Sequence, residues 1–425
     1  MNEWAWIGGS QTANAPGVYG TTGTAAAGNV PGARSYAASW ADSKGNRWLF
    51  GGFGYDSNGG QGVLNDLWKY DASTGQWIWM SGSKTVGATG SYGTQGTASA
   101  TNVPGARENP ASWRGPQGNL WLFGGDSDTS GLFDDLWKYD PATGQWTWVG
   151  GSSGKNAAGT YGTKGAAAPG NMPGARRFAV TWQGSNGNLW LFGGSGYDST
   201  GTRGDLNDLW KYDPATGQWT WVSGSNAVGG LPVYGQQGVA ASGNVPGALQ
   251  GAVGWVGPNG NLWLFGGENG SNYYNTLWKY DPTTNEWTWV SGANTPNAAA
   301  SYGTQGTAAA SNIPGPRYAS AAWVDKNGML WLFGGLGYDS SAGFGDLNDL
   351  WKYDPTTNQW TWVSGSKTRN ASGNYGTRGT ASAGNTPGGR DAAAAWLDPD
   401  GTTLWLFGGE DYSLNNYNDL WKYQQ

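Results

Sequence analysis

Asn119-Leu120-Trp121-Leu122-Phe123-Gly124-Gly125, a polar loop, then Asp135-Leu136-Trp137-Lys138-Tyr139, the turn Asp140-Pro141-Ala142-Thr143-Gly144-Gln145 and finally Trp146-Thr147-Trp148-Val149 form the heart of a module. The run Pro104-Gly105-Ala106-Arg107 leads into it through an apolar stretch ending at Trp113. The double glycine recurs from Gly51, Gly124, Gly193, Gly266, Gly334 and Gly408, at intervals that are alternately longer and shorter. Six copies fill the 425 residues and leave nothing over, so the repeat decides the fold.

Each copy offers four short strands. Their segments are rich in aromatic and branched residues, are fenced by Gly, Pro, Asn and Asp, and carry no apolar stripe at helical period. Leu189-Trp190-Leu191-Phe192 is apolar at every position, as suits a strand buried on both faces. Asp213-Pro214-Ala215-Thr216-Gly217-Gln218 has Pro for a fixed φ and Gly for a positive one, which reads as a hairpin turn. Four antiparallel strands repeated six times predict an all-β fold, a six-bladed β-propeller spanning 1–425 as one domain. The last copy stops at Trp421-Lys422-Tyr423-Gln424-Gln425, before its fourth strand. The chain opens with Asn2-Glu3-Trp4-Ala5-Trp6-Ile7, which matches Asn285-Glu286-Trp287-Thr288-Trp289-Val290. Residues 1–9 are therefore expected to complete the final blade and close the ring.

These residues resemble the kelch family, whose blades carry a Gly-Gly doublet after the second strand and a Tyr and a Trp around the last turn. Here the doublet is Gly124-Gly125 and the pair is Tyr139 and Trp146. The resemblance covers the whole chain. It departs in length: roughly twenty extra residues lie between each fourth strand and the next first strand. This long, Gly- and Trp-rich form is similar to kelch arrays of environmental bacteria. The loop after the double glycine is longer in blades 1, 3 and 5 (Gly54-Tyr55-Asp56-Ser57, for example) than in blades 2, 4 and 6, so a blade pair repeated three times is a second reading of the unit.

Composition narrows the chemistry. There is no Cys and no His, which removes disulfides, thiol catalysis and the commonest general base and metal ligand. Net charge is −6 and Lys and Arg are spread evenly, so no basic stripe points to nucleic acid. No apolar run is long enough to span a bilayer, and no export signal is visible. A longer native form carrying such a signal, located outside the cell or at its surface, is expected, as is a monomer.

The 30 Trp divide evenly, five to a blade, as with Trp182, Trp190, Trp210, Trp219 and Trp221. That regularity assigns them to packing and leaves none over for a ligand surface. Candidate ligand-binding residues come from elsewhere. Arg34, Arg107, Arg176, Arg317 and Arg390 open the first strands and should stand near the channel mouth, with Leu249 breaking the set in blade 4. They read either as an anion-binding ring or as braces that hold loop carbonyls or an acidic neighbour. The residue after each varies: Ser35, Glu108, Arg177, Gln250, Tyr318 and Asp391. Tyr273, Tyr274, Tyr412 and Tyr417, in the short loops of blades 4 and 6, escape the repeat pattern and lie beside Glu268, Glu410 and Asp411. Aromatic planes next to carboxylates suit sugar stacking, although solvent-facing loop Tyr are common. Asp56, Asp198 and Asp339 sit in oxygen-rich loops, for which calcium is the weaker reading and turn capping the other.

The long loops, with segments such as Tyr92-Gly93-Thr94-Gln95-Gly96, are expected to build one face that carries the binding site. Two function classes follow. One is a non-enzymatic recognition or scaffold propeller for a glycan or protein, with an engineered scaffold lacking an evolved ligand as its variant. The other is an enzyme resembling the kelch-type sialic acid mutarotases. No catalytic residue is assigned; galactose oxidase, also a kelch relative, needs a copper site with His and Cys.

Overall fold

The computed structural model describes residues 2–127 and 131–425. The chain is a six-bladed β-propeller of four-stranded antiparallel blades, packed as two compact units of three blades each. Asn14–Pro232 with Gly247–Gln250 holds blades 1–3; Met1–Ala13, Val233–Pro246 and Gly251–Gln425 hold blades 4–6. Blade 3 runs Val180–Gln183, Leu189–Tyr197, Arg203–Asp213 and Gln218–Ser223, and the other blades repeat that order. In blade 6, Glu3–Gly8 pairs with Leu420–Gln424 in the register Trp4↔Tyr423 and Trp6↔Trp421. The start of the chain is thus the fourth strand of the last blade.

The double glycine is where one blade's backbone meets the next. A Cβ on Gly51 would lie 2.7 Å from the Arg107 carbonyl and 2.8 Å from that of Leu64, and its φ is +63°. Gly52 N–H donates to the Arg107 oxygen at 2.9 Å. Only glycine tolerates both the approach and the dihedral. The doublet also bulges the strand, since the register shifts between Phe50 and Gly52. Beyond it the blade pairs diverge. Blade 1 continues as a long ribbon (Arg47–Tyr55 with Gln61–Asp71), whereas blade 4 breaks and restarts as the small hairpin Glu268–Asn269 with Asn272–Tyr273.

Packing inside each unit follows the aromatic code. The first four Trp of every blade are buried, while the fifth, on the outer edge, is half-covered in all but blade 5. A second-strand Trp leans on the next blade's Tyr (Trp48 and Tyr139, Trp263 and Tyr353) and a second-strand Phe on its Trp (Phe50 and Trp146, Phe265 and Trp360). First-strand indoles donate across the same seam, Trp113 Nε1 to the Trp190 carbonyl at 2.8 Å and Trp255 Nε1 to that of Trp331 at 2.9 Å. The ring contacts remove apolar area from water, and the two indole bonds also satisfy buried N–H groups.

The long inter-blade segments take a different course from the one expected. Their Tyr-Gly-Thr centres lie along the outer edge of the following blade. Gly96 N–H donates to Trp148 O and Asn102 Nδ2 to Trp146 O, and the same two bonds recur in all six blades. Tyr92 covers Trp137 and Trp148 with its ring. The physical reason is the fourth strand's unpaired row of carbonyls, which an uncovered edge would offer to another chain.

Candidate functional site

The repeated Arg sets are braces. In blade 3, Arg176 donates through Nη1 and Nη2 to Asp208 Oδ1 and Oδ2 (2.7 and 2.8 Å), through Nε to Gly174 O and through Nη1 to Gly193 O. Asp208 Oδ2 also accepts from the Tyr161 hydroxyl and Trp210 Nε1. Arg176 is 1% exposed, and four of its five N–H groups are engaged inside the protein. Burial works against the charged guanidinium, yet the Asp208 carboxylate more than offsets it and holds its pKa above the ordinary value. Arg34 with Asp66, Arg107 with Asp135, Arg317 with Asp349 and Arg390 with Asp419 repeat the arrangement. None of these five stands open at a channel mouth. Blade 4 has Leu249 for the Arg and Thr276 for the Asp, and there Tyr234 stacks on Trp278 instead. Both partners are replaced together, as a buried charge without its counterion would be too costly to keep.

Asp56, Asp198 and Asp339 are buried turn caps. Asp198 Oδ1 accepts from Thr200 N, Thr200 Oγ1 and Thr202 N, and Oδ2 from Val228 N; Asp56 and Asp339 do the same in their own loops. These oxygens are spoken for by the loops that hold them. Among the described residues no three acidic side chains stand close enough to share a metal ion.

Within blades 4–6 the loop residues come together. Tyr273, from the hairpin of blade 4, packs on Phe344 (ring centroids 4.8 Å apart), Tyr318 (5.9 Å) and Tyr338 (6.0 Å) of blade 5; Phe344 meets Tyr412 of blade 6 at 6.3 Å. Tyr412 is 54% exposed, so the group opens to solvent on that side. Burial, then Glu268, pushes the Tyr273 phenol up to about 12, with Asp391 also close enough to act. Glu410 bridges Asp391 and Asn416 through the backbone. Tyr274, the next residue along the chain, is close enough to Tyr234 to act on its phenol.

A cleft of about 360 Å³ shares Tyr412 with this group and is lined also by Asn370, Gly389, Arg390, Asp411 and Tyr417. Asp411 accepts from Tyr417 OH at 2.7 Å and from Ser413 and Asn415 N–H groups; against its burial, these bonds hold it below the usual carboxylate range. Asp346, which the sequence reading did not single out, does not line the cleft itself, but its backbone runs beside Gly389, which does. Its backbone is tied to Asn370 in both directions, and it is 2% exposed. Burial, then the Asp411 and Glu410 charges, pushes its carboxyl up to about 8 despite the opposing pull of Arg390. A signal for it existed: the matching third-strand position reads Val63, Leu132, Asp205, Tyr273, Asp346 and Asn416, as variable as the position after the Arg. The site thus joins Glu268, Tyr273, Arg390, Glu410, Asp411 and Tyr412 from the expected set, while Tyr274, Arg34, Arg107, Arg176 and Arg317 serve elsewhere.

The comparisons with known proteins fit this architecture. The KLHDC2/KLHL20/DRC7 kelch-repeats domain matches residues 95–301 and 234–377. The chain is similar to kelch domain-containing protein 10 of Bos taurus and of Homo sapiens, each 27% identical over 260 residues. That alignment covers 58% of this chain and 46% of the relative, so the chain spans about half the length of the curated relatives it matches. No helix among the described residues is long and apolar enough to cross a membrane. With the matched repeats taking up well over half of the chain and a glycine doublet in each of the six blades, the protein belongs to the kelch-repeat family.

Proposed function

We propose that the chain acts as a monomeric, non-enzymatic recognition propeller that presents the rim of blades 4–6 to a partner protein. One observation carries the reading: residues that break the sixfold repeat gather there, while those that obey it are consumed by the scaffold. Tyr273, Phe344 and Tyr412 offer rigid amphipathic surface of the kind that anchors interfaces, and the neighbouring cleft admits a side chain. A glycan would also suit aromatic planes beside carboxylates. The protein reading is favoured by kelch membership and by the absence of any exposed Arg among the five brace positions to orient an acidic sugar.

Displayed random peptides panned on the full chain test this directly. Enrichment that disappears in the Tyr273→Ala and Tyr412→Ala variants supports it. If no peptide is enriched while a glycan array gives Tyr273-dependent binding, the ligand is a sugar. Accelerated anomer exchange of sialic acid would make the chain an enzyme and overturn the proposal.

A further inference from the structure

The position before the brace Asp is an asparagine in every blade but one: Asn65, Asp134, Asn207, Asn275, Asn348 and Asn418 in chain order, with Thr276 following in blade 4. That asparagine is a two-sided clamp. Asn65 Oδ1 accepts from Ser83 N–H in its own blade at 2.9 Å, and Nδ2 donates to the Pro104 carbonyl, on the way into blade 2, at 3.1 Å. Asn275 does the same with Ala293 and Pro314, and Asn348 with Ser366 and Pro387.

Blade 2 keeps the geometry and changes the chemistry. Asp134 Oδ1 accepts from Ser152 N–H at 3.2 Å, the counterpart of the Ser83 bond. One residue earlier, Phe133 O accepts from Arg176 N–H at 3.1 Å, just as Leu64 O accepts from Arg107 N–H at 3.0 Å. The seam between blades 2 and 3 is therefore pinned as the seam between blades 1 and 2 is. By this correspondence the second carboxyl oxygen of Asp134 stands where the asparagines carry their NH2 group, and it faces the carbonyl of Pro173. Asp134 is 4% exposed, so an ionised carboxylate would set two acceptors against each other out of reach of water. A proton on that oxygen turns it into a donor and restores the missing bond.

No cation answers the charge instead. Arg107, from the first strand of blade 2, is bound to Asp135, and Arg176, from that of blade 3, to Asp208. Lys155, beyond the fourth strand, donates to Ser127 Oγ. Asp135, next in the chain, opposes ionisation.

We infer that Asp134 is a proton-held latch between blades 2 and 3: as the neutral acid it donates to the Pro173 carbonyl, and on ionising it lets that carbonyl go. Burial raises its carboxyl to about 6 against the pull of the Ser152 bond, with Asp135 adding to the rise. The unfolded chain gives up the same proton at the ordinary, lower value. The latch therefore contributes in full below about pH 4 and is lost as pH rises through about 6. What it holds is the inter-blade segment 157–175, closed by Ala175 N–H to Ala157 O and by paired Thr160 and Met172. That segment covers the outer edge of blade 3 through Gly165 and Asn171 and lends Tyr161 to the Asp208 brace.

Reciprocal variants of the full chain, Asp134→Asn and Asn65→Asp, melted between about pH 4 and pH 8, test the latch. Asp134→Asn should match the parent at about pH 4 and melt at a higher temperature at about pH 8, the gap opening through about 6. Asn65→Asp should cost little at about pH 4 and lower the midpoint increasingly above about 6. Hydrogen exchange supplies the location. At about pH 8 the amides of Thr160, Gly165, Met172 and Ala175 should be at least about tenfold less protected in the parent than in Asp134→Asn. A gap that does not change with pH would overturn the inference, because the amide would then be better for packing alone. A less stable Asp134→Asn at about pH 8 would overturn it too, by showing that the fold uses the ionised carboxylate. Exchange differences spread evenly over blades 1–3 would overturn the assignment to this segment.

Discussion

The two three-blade units rest on the same braces and carry different rims. In blades 1–3 the second position after the brace Arg carries a longer side chain, Tyr36, Asn109 or Phe178, with the Tyr36 and Phe178 rings edge to face at 5.4 Å. In blades 4–6 the same positions are Gly251, Ala319 and Ala392. Charge differs too. Arg177 pairs with Asp126 at 2.7 Å in the first unit, while the second gathers Asp346, Glu410 and Asp411 beside an open cleft. A scaffold whose blades are held by backbone bonds at glycine doublets and by buried ion pairs leaves its rim free to diverge blade by blade.

If the foundations are common, cutting them should hurt both units, and the largest effect should come from the strand that completes blade 6. Deleting residues 2–9 removes buried Trp4 and half-buried Trp6 and uncovers Leu420–Gln424. The loss should exceed the about 3–5 kcal/mol of one large aromatic truncation, read as a fall in denaturation midpoint. An unchanged midpoint would mean that the strand is not part of the fold's closure. Next come the braces. Asp208→Ala and Asp349→Ala each strand a buried Arg and should each cost about 3–5 kcal/mol, whichever unit they sit in. Thr276→Ala in blade 4, where no charge is left behind, should cost about 1 kcal/mol or less. Similar losses at all three would break the claim that paired charge, rather than packing, defines the brace.

The braces and the rims also differ in how far the sequence reveals them. The Arg set and the Asp before each Leu-Trp recur and fail together in blade 4, at Leu249 and Thr276, so their pairing was there to be read. Trp assignments follow from even division among blades. The inter-blade course was not legible, because segments such as Tyr92-Gly93-Thr94-Gln95-Gly96 carry no apolar period, and the backbone N–H, Asn side chain and Tyr ring through which they dock do not name the strand edge they cover. The acid and aromatic cluster was half legible. Tyr273, Glu410 and Tyr412 betray themselves by breaking the repeat, but Asp346 and Phe344 lie inside the long third strand of blade 5. Their convergence depends on which strand ends meet at the rim.

Asp346 allows the contrast between the rims to be sharpened by pH. Its folded-state carboxyl stands near 8, above the ordinary value it has when unfolded, so the folded chain keeps a proton that the unfolded chain releases. Stability from this group is therefore full below about pH 4 and is lost as pH rises through about 8. Asp346→Asn should stabilise the protein at about pH 8, on the order of 1–3 kcal/mol, and change little at about pH 4. Asp126→Asn in the first unit releases only a partly exposed Arg177, so its effect should stay within about 1 kcal/mol. Denaturant titrations at the two pH values decide it. A destabilising Asp346→Asn would show the carboxylate to be part of the scaffold, and the distinction between rim and foundation would fail in blade 5.

The smallest effect compares the rims at one backbone position. Tyr36 and Ala319 occupy it in blades 1 and 5, with φ of 58° and 53°, and both are held there by hydrogen bonds between neighbouring blades: Asn109 N–H to Tyr36 O and Ala319 N–H to Gly251 O. A non-glycine residue in this region is strained by about 1–2 kcal/mol, which glycine relieves while adding about 0.4–1 kcal/mol of unfolded-state entropy. Ala319 has little else to lose, so Ala319→Gly should be neutral or stabilising by up to about 1 kcal/mol. Tyr36→Gly gains the same relief but forfeits the edge contact with Phe178, about 0.5–1.5 kcal/mol beyond its buried area, and should come out destabilising. Melting temperatures of the two variants should therefore move apart in sign or in clear order. Equal shifts would mean that the aromatic pair adds nothing to the rim of blades 1–3, and that the two rims differ in chemistry alone and not in how firmly they are packed.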